Sequence, residues 1–192
     1  MTPRPRLTPD TLVRAGAELA DELGFAHLTP SSLARRVGVR PPSLYAHLAG
    51  ADDLRARVAV LALGELTEAA TTAAAGLAGR DALAAVAAAH RDYARAHPGR
   101  WDAARHPLDD ATAAASAGPR MAGLMRAVLR GYGLDEPDAT HAVRLLGAVV
   151  HGFVTLEAAG GFAHSAPDAT TSWEWVLDSL DRLLTDRSGG TP

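Results

Sequence analysis

Two threonine–proline pairs, Thr8-Pro9 and Thr29-Pro30, stand in front of runs whose apolar residues recur every three to four positions. A threonine side chain caps the first open amides of a helix, and a proline in the first turn needs no amide of its own. Each pair therefore dictates where a helix starts. Behind the first, Leu12, Ala15, Leu19 and Leu23 keep helical spacing as far as Gly24. Behind the second, Leu33, Ala34 and Val37 do so as far as Gly38. The same spacing predicts a very short helix from Ser43 to Leu48 and a long one from Asp52 to about Ala75, striped by Leu54, Val58, Leu61 and Leu66. Further helices are expected at roughly 80–97, 100–105, 111–132, 137–160 and 171–186. Strand alternation is nearly absent, so the expected fold is all-α, with about nine helices.

The chain has 192 residues, 47% of them apolar, which is ample for a helical core. It has no cysteine, which excludes disulfides, zinc–thiolate sites and thiol catalysis. The start, MTPRPRLTPD, lacks the apolar centre of a signal peptide, and no uninterrupted run of about 18 apolar residues offers a membrane span. A cytoplasmic protein with no membrane partner is expected. The net charge of −3 argues against nucleic acid when taken alone. Its distribution does not: residues 1–57 hold eight arginines against six acids, and residues 58–192 eleven against sixteen. All of this basic complement is arginine.

Within the basic part lies VGVRPPSLYAHL, residues 37–48. Helix 29–37, a turn at Gly38-Val39-Arg40 and a short helix at 41–48 make the layout of a helix-turn-helix. Gly38 lets the chain reverse, because a left-handed backbone costs glycine nothing. Val39, Leu44 and Leu48 face inward, which leaves Ser43, Tyr45, Ala46 and His47 to solvent or a partner. The prolines fix φ where no intrahelical amide is needed, so they set the direction of the short helix instead of breaking it. Beside Arg35, Arg36 and Arg40, such side chains suit phosphate and base-edge contacts in a major groove. On the local pattern alone, a tight helix corner with a half-buried tyrosine is as good a reading.

The wider stretch 28–54, LTPSSLARRVGVRPPSLYAHLAGADDL, resembles the DNA-binding region of the TetR family of transcriptional regulators. The resemblance rests on Leu28-Thr29, Leu33-Ala34, Gly38-Val39, Leu44-Tyr45, His47 and Leu54, and helix 8–23 extends it. It implies that helix 41–48 reads double-stranded DNA through Pro41, Pro42, Ser43, Tyr45 and His47, with Arg40 beside them. Pro30 and Ser31 would approach the backbone. Where many members carry a phosphate-binding lysine, this chain has Ala51 followed by Asp52 and Asp53. One expected backbone contact is thus missing, and Arg4, Arg6 and Arg40 are its candidate replacements.

The segment VVHGFVTLEAAGGF, residues 149–162, resembles the His-Gly motif of a C-terminal subclass called WHG, through His151 and Gly152 only. Independently, helix 137–160 is apolar nearly all round and needs covering on more than one side, whereas helix 171–186 shows one stripe of Trp173, Val176, Leu177, Leu180 and Leu184. Packed against a second copy as a four-helix bundle, these two helices would make a homodimer. Tyr93, Trp101, His106, Met121, Met125, His151 and Phe153 are the candidates to line a cavity for a small-molecule effector. The histidines fit no metal-binding spacing, and no nucleophile elbow or phosphate loop occurs, so neither enzyme activity nor a cofactor is expected. The expectation is a DNA-binding domain over 1–50 and a ligand-binding and dimerisation domain over 51–192. Together they would form a homodimeric repressor on a palindromic operator, released by a small apolar or aromatic effector. The rival expectation is a helical dimeric ligand-binding or coregulator protein with weakened DNA binding.

Overall fold

Both threonine–proline pairs begin helices in the computed structural model, which describes residues 7–188. In α1 (Pro9–Leu23) the Thr11 amide donates to Thr8 Oγ1 at 3.2 Å, while the Thr8 amide donates back to Thr11 Oγ1 at 2.9 Å. In α2 (Pro30–Val37) Thr29 and Ser32 repeat this exchange at 3.0 Å in each direction. A hydroxyl thus does the work at the third helical position that a longer glutamate does in the usual capping box. The remaining α-helices are α3 (Ala51–Ala74), α4 (Gly79–Ala96), α5 (Pro98–Ala103), α6 (Asp110–Ala115), α7 (Gly118–Leu129), α8 (Asp138–Ala158) and α9 (Ala169–Ser188). Among the described residues there is no strand.

Two expected helices differ. The segment expected as a helix at 41–48 is a 3-10 turn, Pro41–Leu44, followed by turn residues. Its bonds span three residues, Ser43 N–H to Arg40 O at 2.9 Å and His47 N–H to Leu44 O at 2.8 Å. The Ser43, Tyr45 and His47 amides each reach three residues back instead of four, so the segment winds as tight turns and not as an α-helix. The run 111–132 breaks in two at Ser116. The Ser116 hydroxyl donates to Ala113 O at 2.7 Å and accepts from the Gly118 amide at 3.0 Å, so it ends α6 and leads into α7.

The chain forms two compact units. The first comprises residues 1–66 and 96–118. Leu12, Leu28, Leu33, Leu44, Leu54 and Val58 are fully buried there, drawn from α1, the connection to α2, α2 itself, the 3-10 turn at Pro41–Leu44 and α3. At α5, Gly99 lies against the backbone of α1 so closely that a Cβ would sit 2.0 Å from Ala20 O. Asp21 fastens the contact, accepting from the Arg100 amide at 2.8 Å and forming an ion pair with the Arg100 guanidinium, whose Nε lies 2.9 Å away, and Arg100 Nη1 reaches Glu65 of α3 at 3.1 Å.

The second unit comprises residues 67–95 and 119–192, with a core of Leu83, Val86, Leu129, Leu146, Leu180 and Leu184. The Tyr132 hydroxyl donates to Asp181 at 2.7 Å and thereby ties the turn after α7 to α9. By length and composition alone α8 is apolar enough to cross a membrane, with a mean hydropathy of 1.3. Ala142 and Leu146 nevertheless pack into the unit's core, as a soluble core helix does. Elsewhere on α8, Leu145 and Leu156 are exposed, as are Trp175 and Leu183 of α9. The chain passes from one unit to the other three times, inside α3, at the end of α4 and at the start of α7.

Candidate functional site

Gly38 reverses the chain between α2 and the 3-10 turn with φ 70° and ψ 34°. The Val39 amide bonds to Ala34 O at 3.0 Å and the Gly38 amide to Arg35 O at 3.3 Å, which closes the last open carbonyls of α2. The turn that follows hangs on two anchors, Leu44 and Leu48, at 0% and 2% exposure. Burying these two forces their neighbours outward. Arg40, Pro41, Pro42 and Ser43 are exposed, and Tyr45 is 59% exposed. Ser31, at the start of α2, is exposed too, whereas Pro30 and His47 are half-buried. The eight residues expected on DNA thus include six that face solvent and two at the edge of the core.

The positive charge is arranged differently from the expectation. Arg35 and Arg40 are exposed and have no carboxylate partner among the described residues. Arg36 is instead bound to α1, to Glu22 at 2.7 Å and Glu18 at 3.3 Å. It fastens α2 to α1 and is not available beside Arg35 and Arg40. Ala51 stands in the first turn of α3 and brings no cation there. Asp53 closes that end of the helix, accepting from the Ala49 amide at 2.8 Å and from Arg57 at 2.7 Å. Burial pushes the Asp53 carboxyl up, but these hydrogen bonds and the Arg57 charge hold it below its usual value. Arg4 and Arg6 lie outside the described residues.

The seven residues expected around an effector divide between the units. Trp101 and His106 belong to the first, and Tyr93, Met121, Met125, His151 and Phe153 to the second. Met125 is in the second core with Met121 packed against it. Phe153 joins an aromatic group, its ring 4.8 Å from that of Phe162 and 5.0 Å from that of Trp173. The guanidinium of Arg91 lies 5.2 Å from the Trp173 ring and is bound to Glu157, with Nε at 2.8 Å. Arg95 reaches the same carboxylate at 3.0 Å. Hydrogen bonds from Arg91, only partly opposed by burial, and the charge of Arg95 keep the Glu157 carboxyl below its usual value. His151 Nδ1 lies 3.3 Å from Thr155 Oγ1 on the next turn of α8. In the first unit, the guanidinium of Arg105 sits over the buried indole of Trp101, and the His106 ring meets Phe25 edge-on at 5.3 Å. Sequence reasoning missed the Arg91–Glu157 pair, whose members stand 66 positions apart with nothing local to link them. Arg105 and Trp101, four positions apart within the helix expected at 100–105, were open to it, although Arg105 stands in the turn just after α5.

Residues 83–180 match the tetracyclin repressor-like C-terminal domain, a match that does not extend to the WHG subclass expected from His151 and Gly152. The chain is 36% identical over 159 residues to an HTH-type transcriptional regulator of Mycobacterium tuberculosis, covering 81% of this chain and 72% of that one. It is 32% identical over 180 residues to the HTH-type transcriptional regulator YobS of Bacillus subtilis, covering 94% and 90%. In fold it is similar to BioQ of Mycobacterium smegmatis, with a TM-score of 0.70, 25% identity, and 94% and 99% of the two chains covered. BioQ with its double-stranded DNA operator gives a TM-score of 0.68 at 24% identity, over 94% and 99%. TetR of Acinetobacter baumannii in complex with minocycline gives 0.70 at 23% identity, over 95% and 99%.

Proposed function

Because this chain belongs to the TetR family of transcriptional regulators, we propose that it is a homodimeric repressor that binds a palindromic operator and is released by a small apolar or aromatic effector. The observation that carries the DNA-binding half is the division of the 3-10 turn. Leu44 and Leu48 are buried, while Arg40, Pro41, Pro42, Ser43 and Tyr45 all face out beside the unpaired Arg35. Guanidinium groups and a phenol suit phosphates, and the small residues between them let the backbone approach base edges. Ser31 and Pro30 approach the DNA backbone from α2, and His47 contributes from the rim. Reading of DNA is assigned to residues up to about 50. Dimerisation and sensing are assigned to the remainder.

Support for the dimer comes from α8 and α9, which pack together and leave Leu145, Leu156, Trp175 and Leu183 exposed. Large apolar side chains collected on two adjoining helices mark a surface that a partner covers. A second copy supplies a matching one. Support for an effector comes from relatives in fold, one of which was solved with minocycline. Tyr93, Met121, Met125, His151 and Phe153 of the second unit, and separately Trp101 and His106 of the first, remain the proposed effector residues. The reading is of a regulator and not an enzyme, and it places the protein in the cytoplasm with its DNA.

A gel-shift titration with DNA taken upstream of the chain's own coding sequence tests the reading. Saturable binding that survives excess unrelated DNA supports it. Binding no tighter than to unrelated DNA would favour a helical coregulator with weakened DNA binding.

A further inference from the structure

Several arginines in this protein meet carboxylates: Arg91 and Arg95 share Glu157, Arg100 binds Asp21 and Glu65, and Arg126 binds Glu136. Arg105 meets none among the described residues. Its guanidinium carbon lies 3.8 Å from the centre of the Trp101 ring, and Trp101 itself is only 3% exposed. Although Arg105 keeps an exposed edge, burial of its guanidinium lowers the pKa to about 10, against the weak pull of Asp102. Next along the chain, His106 places its ring against Phe25.

The result is a cation covered on one face by an aromatic ring, open on its edge, and with no carboxylate in ion-pair contact among the described residues. Stacking on indole offsets part of the lost hydration, but the guanidinium's donor edges are still unused. A side chain in this condition gains most from an oxyanion, which accepts two parallel hydrogen bonds and restores the missing charge. The aromatic neighbourhood suits an anion with an apolar body over a small inorganic one.

We propose that Arg105, held over Trp101, recognises the carboxylate of the effector, so that the ligand class is an apolar or aromatic monocarboxylic acid. This rests on the ligand-responsive reading above and adds the chemical group that is read and the residue that reads it. Trp101 serves as the platform that orients the guanidinium, and replacing it disturbs recognition without removing the charge.

The test uses the full chain with naphthoic and octanoic acids, the neutral amide of each, and inorganic phosphate. Binding is followed by calorimetry, and release of DNA by anisotropy of labelled upstream DNA. At least one acid should bind roughly 10- to 100-fold more tightly than its amide, the range expected of a charge-assisted hydrogen-bond pair. Arg105→Gln should abolish that difference, Arg105→Lys should restore part of it, and Arg130→Gln, at an exposed arginine of the second unit, should leave it intact. The proposal is overturned if neither acid binds, if amides bind as well as acids, or if phosphate competes equally. It is also overturned if Arg105→Gln, with an unchanged melting temperature, keeps the preference for acids. Acids that bind through Arg105 without altering DNA affinity would leave the site standing and remove the regulatory reading. Amides that release DNA equally from wild type and Arg105→Gln would do the reverse.

Discussion

Tyr45 and Arg40 stand side by side on the exposed turn, yet substitutions at the two should be told apart by salt. Arg40→Ala should weaken binding to all DNA sequences and lower the slope of log affinity against log salt by about 1, the loss of one phosphate contact. Tyr45→Phe removes only a hydroxyl and should leave that slope unchanged while lowering affinity. Titrations at several salt concentrations check both, and unaltered affinity in Tyr45→Ala would make the tyrosine a structural residue. The opposite kind of residue is Glu157, whose role is internal. Its folded pKa lies below the unfolded value of about 4.3, so its pairing adds stability above that pH and loses it as acid protonates the carboxylate. Glu157→Gln leaves Arg91 buried without a counter-charge and should cost about 3 kcal/mol at neutral pH. Denaturant melts should show the variant's deficit shrinking between pH 5 and pH 3. At this scale the sequence was a partial guide. It identified the exposed turn residues because their neighbours Leu44 and Leu48 had to be buried. It could not show that Arg36 is spent on Glu18 and Glu22, since that pairing exists only once α2 lies across α1.

Among the elements, α5 is short but held more firmly than its length suggests. Gly99 brings its backbone against Ala20, and the Asp21 carboxylate accepts from the Arg100 amide and forms an ion pair with the Arg100 guanidinium. Gly99→Ala places a methyl where only backbone fits and should force α5 off α1, at a cost of about 3 kcal/mol. In a thermal melt this corresponds to a fall of roughly 6–12 °C. A melting temperature within one degree of wild type would show that the two helices separate easily. The helices with clear punctuation, α1 and α2, were legible to the residue because a cap, a proline and a closing glycine agree. The break at Ser116 was hidden by alanines, whose high propensity continues a helix pattern straight through a local side-chain cap. The 3-10 turn was hidden for the opposite reason. Its prolines are a valid helix start, and in so short a segment the sequence does not tell bonds that span three residues from bonds that span four.

For the whole molecule, the exposed faces of α8 and α9 predict self-association. Replacing Leu156 and Trp175, at 53% and 67% exposure, by arginine should leave the helices folded but yield a monomer in sedimentation. The same variant should lose protection of one arm of an inverted repeat in footprinting, because two heads related by a twofold axis are needed to cover both arms. A monomeric wild type protecting a single asymmetric site would remove the dimer from the proposal. The threefold passage of the chain between its units also bears on how the protein is made. Leu66 closes the first stretch of the DNA-reading unit, but α5, which lies on α1, is not translated until some thirty residues later, and the unit ends only at Gly118. At roughly 5–20 residues per second, a ribosome leaves that unit without its last helices for several seconds. During that interval the back of α1, around Ala20, has no α5 to cover it. The DNA-reading head is therefore completed from the middle of its own gene, and only after α5 has been made can its first unit close.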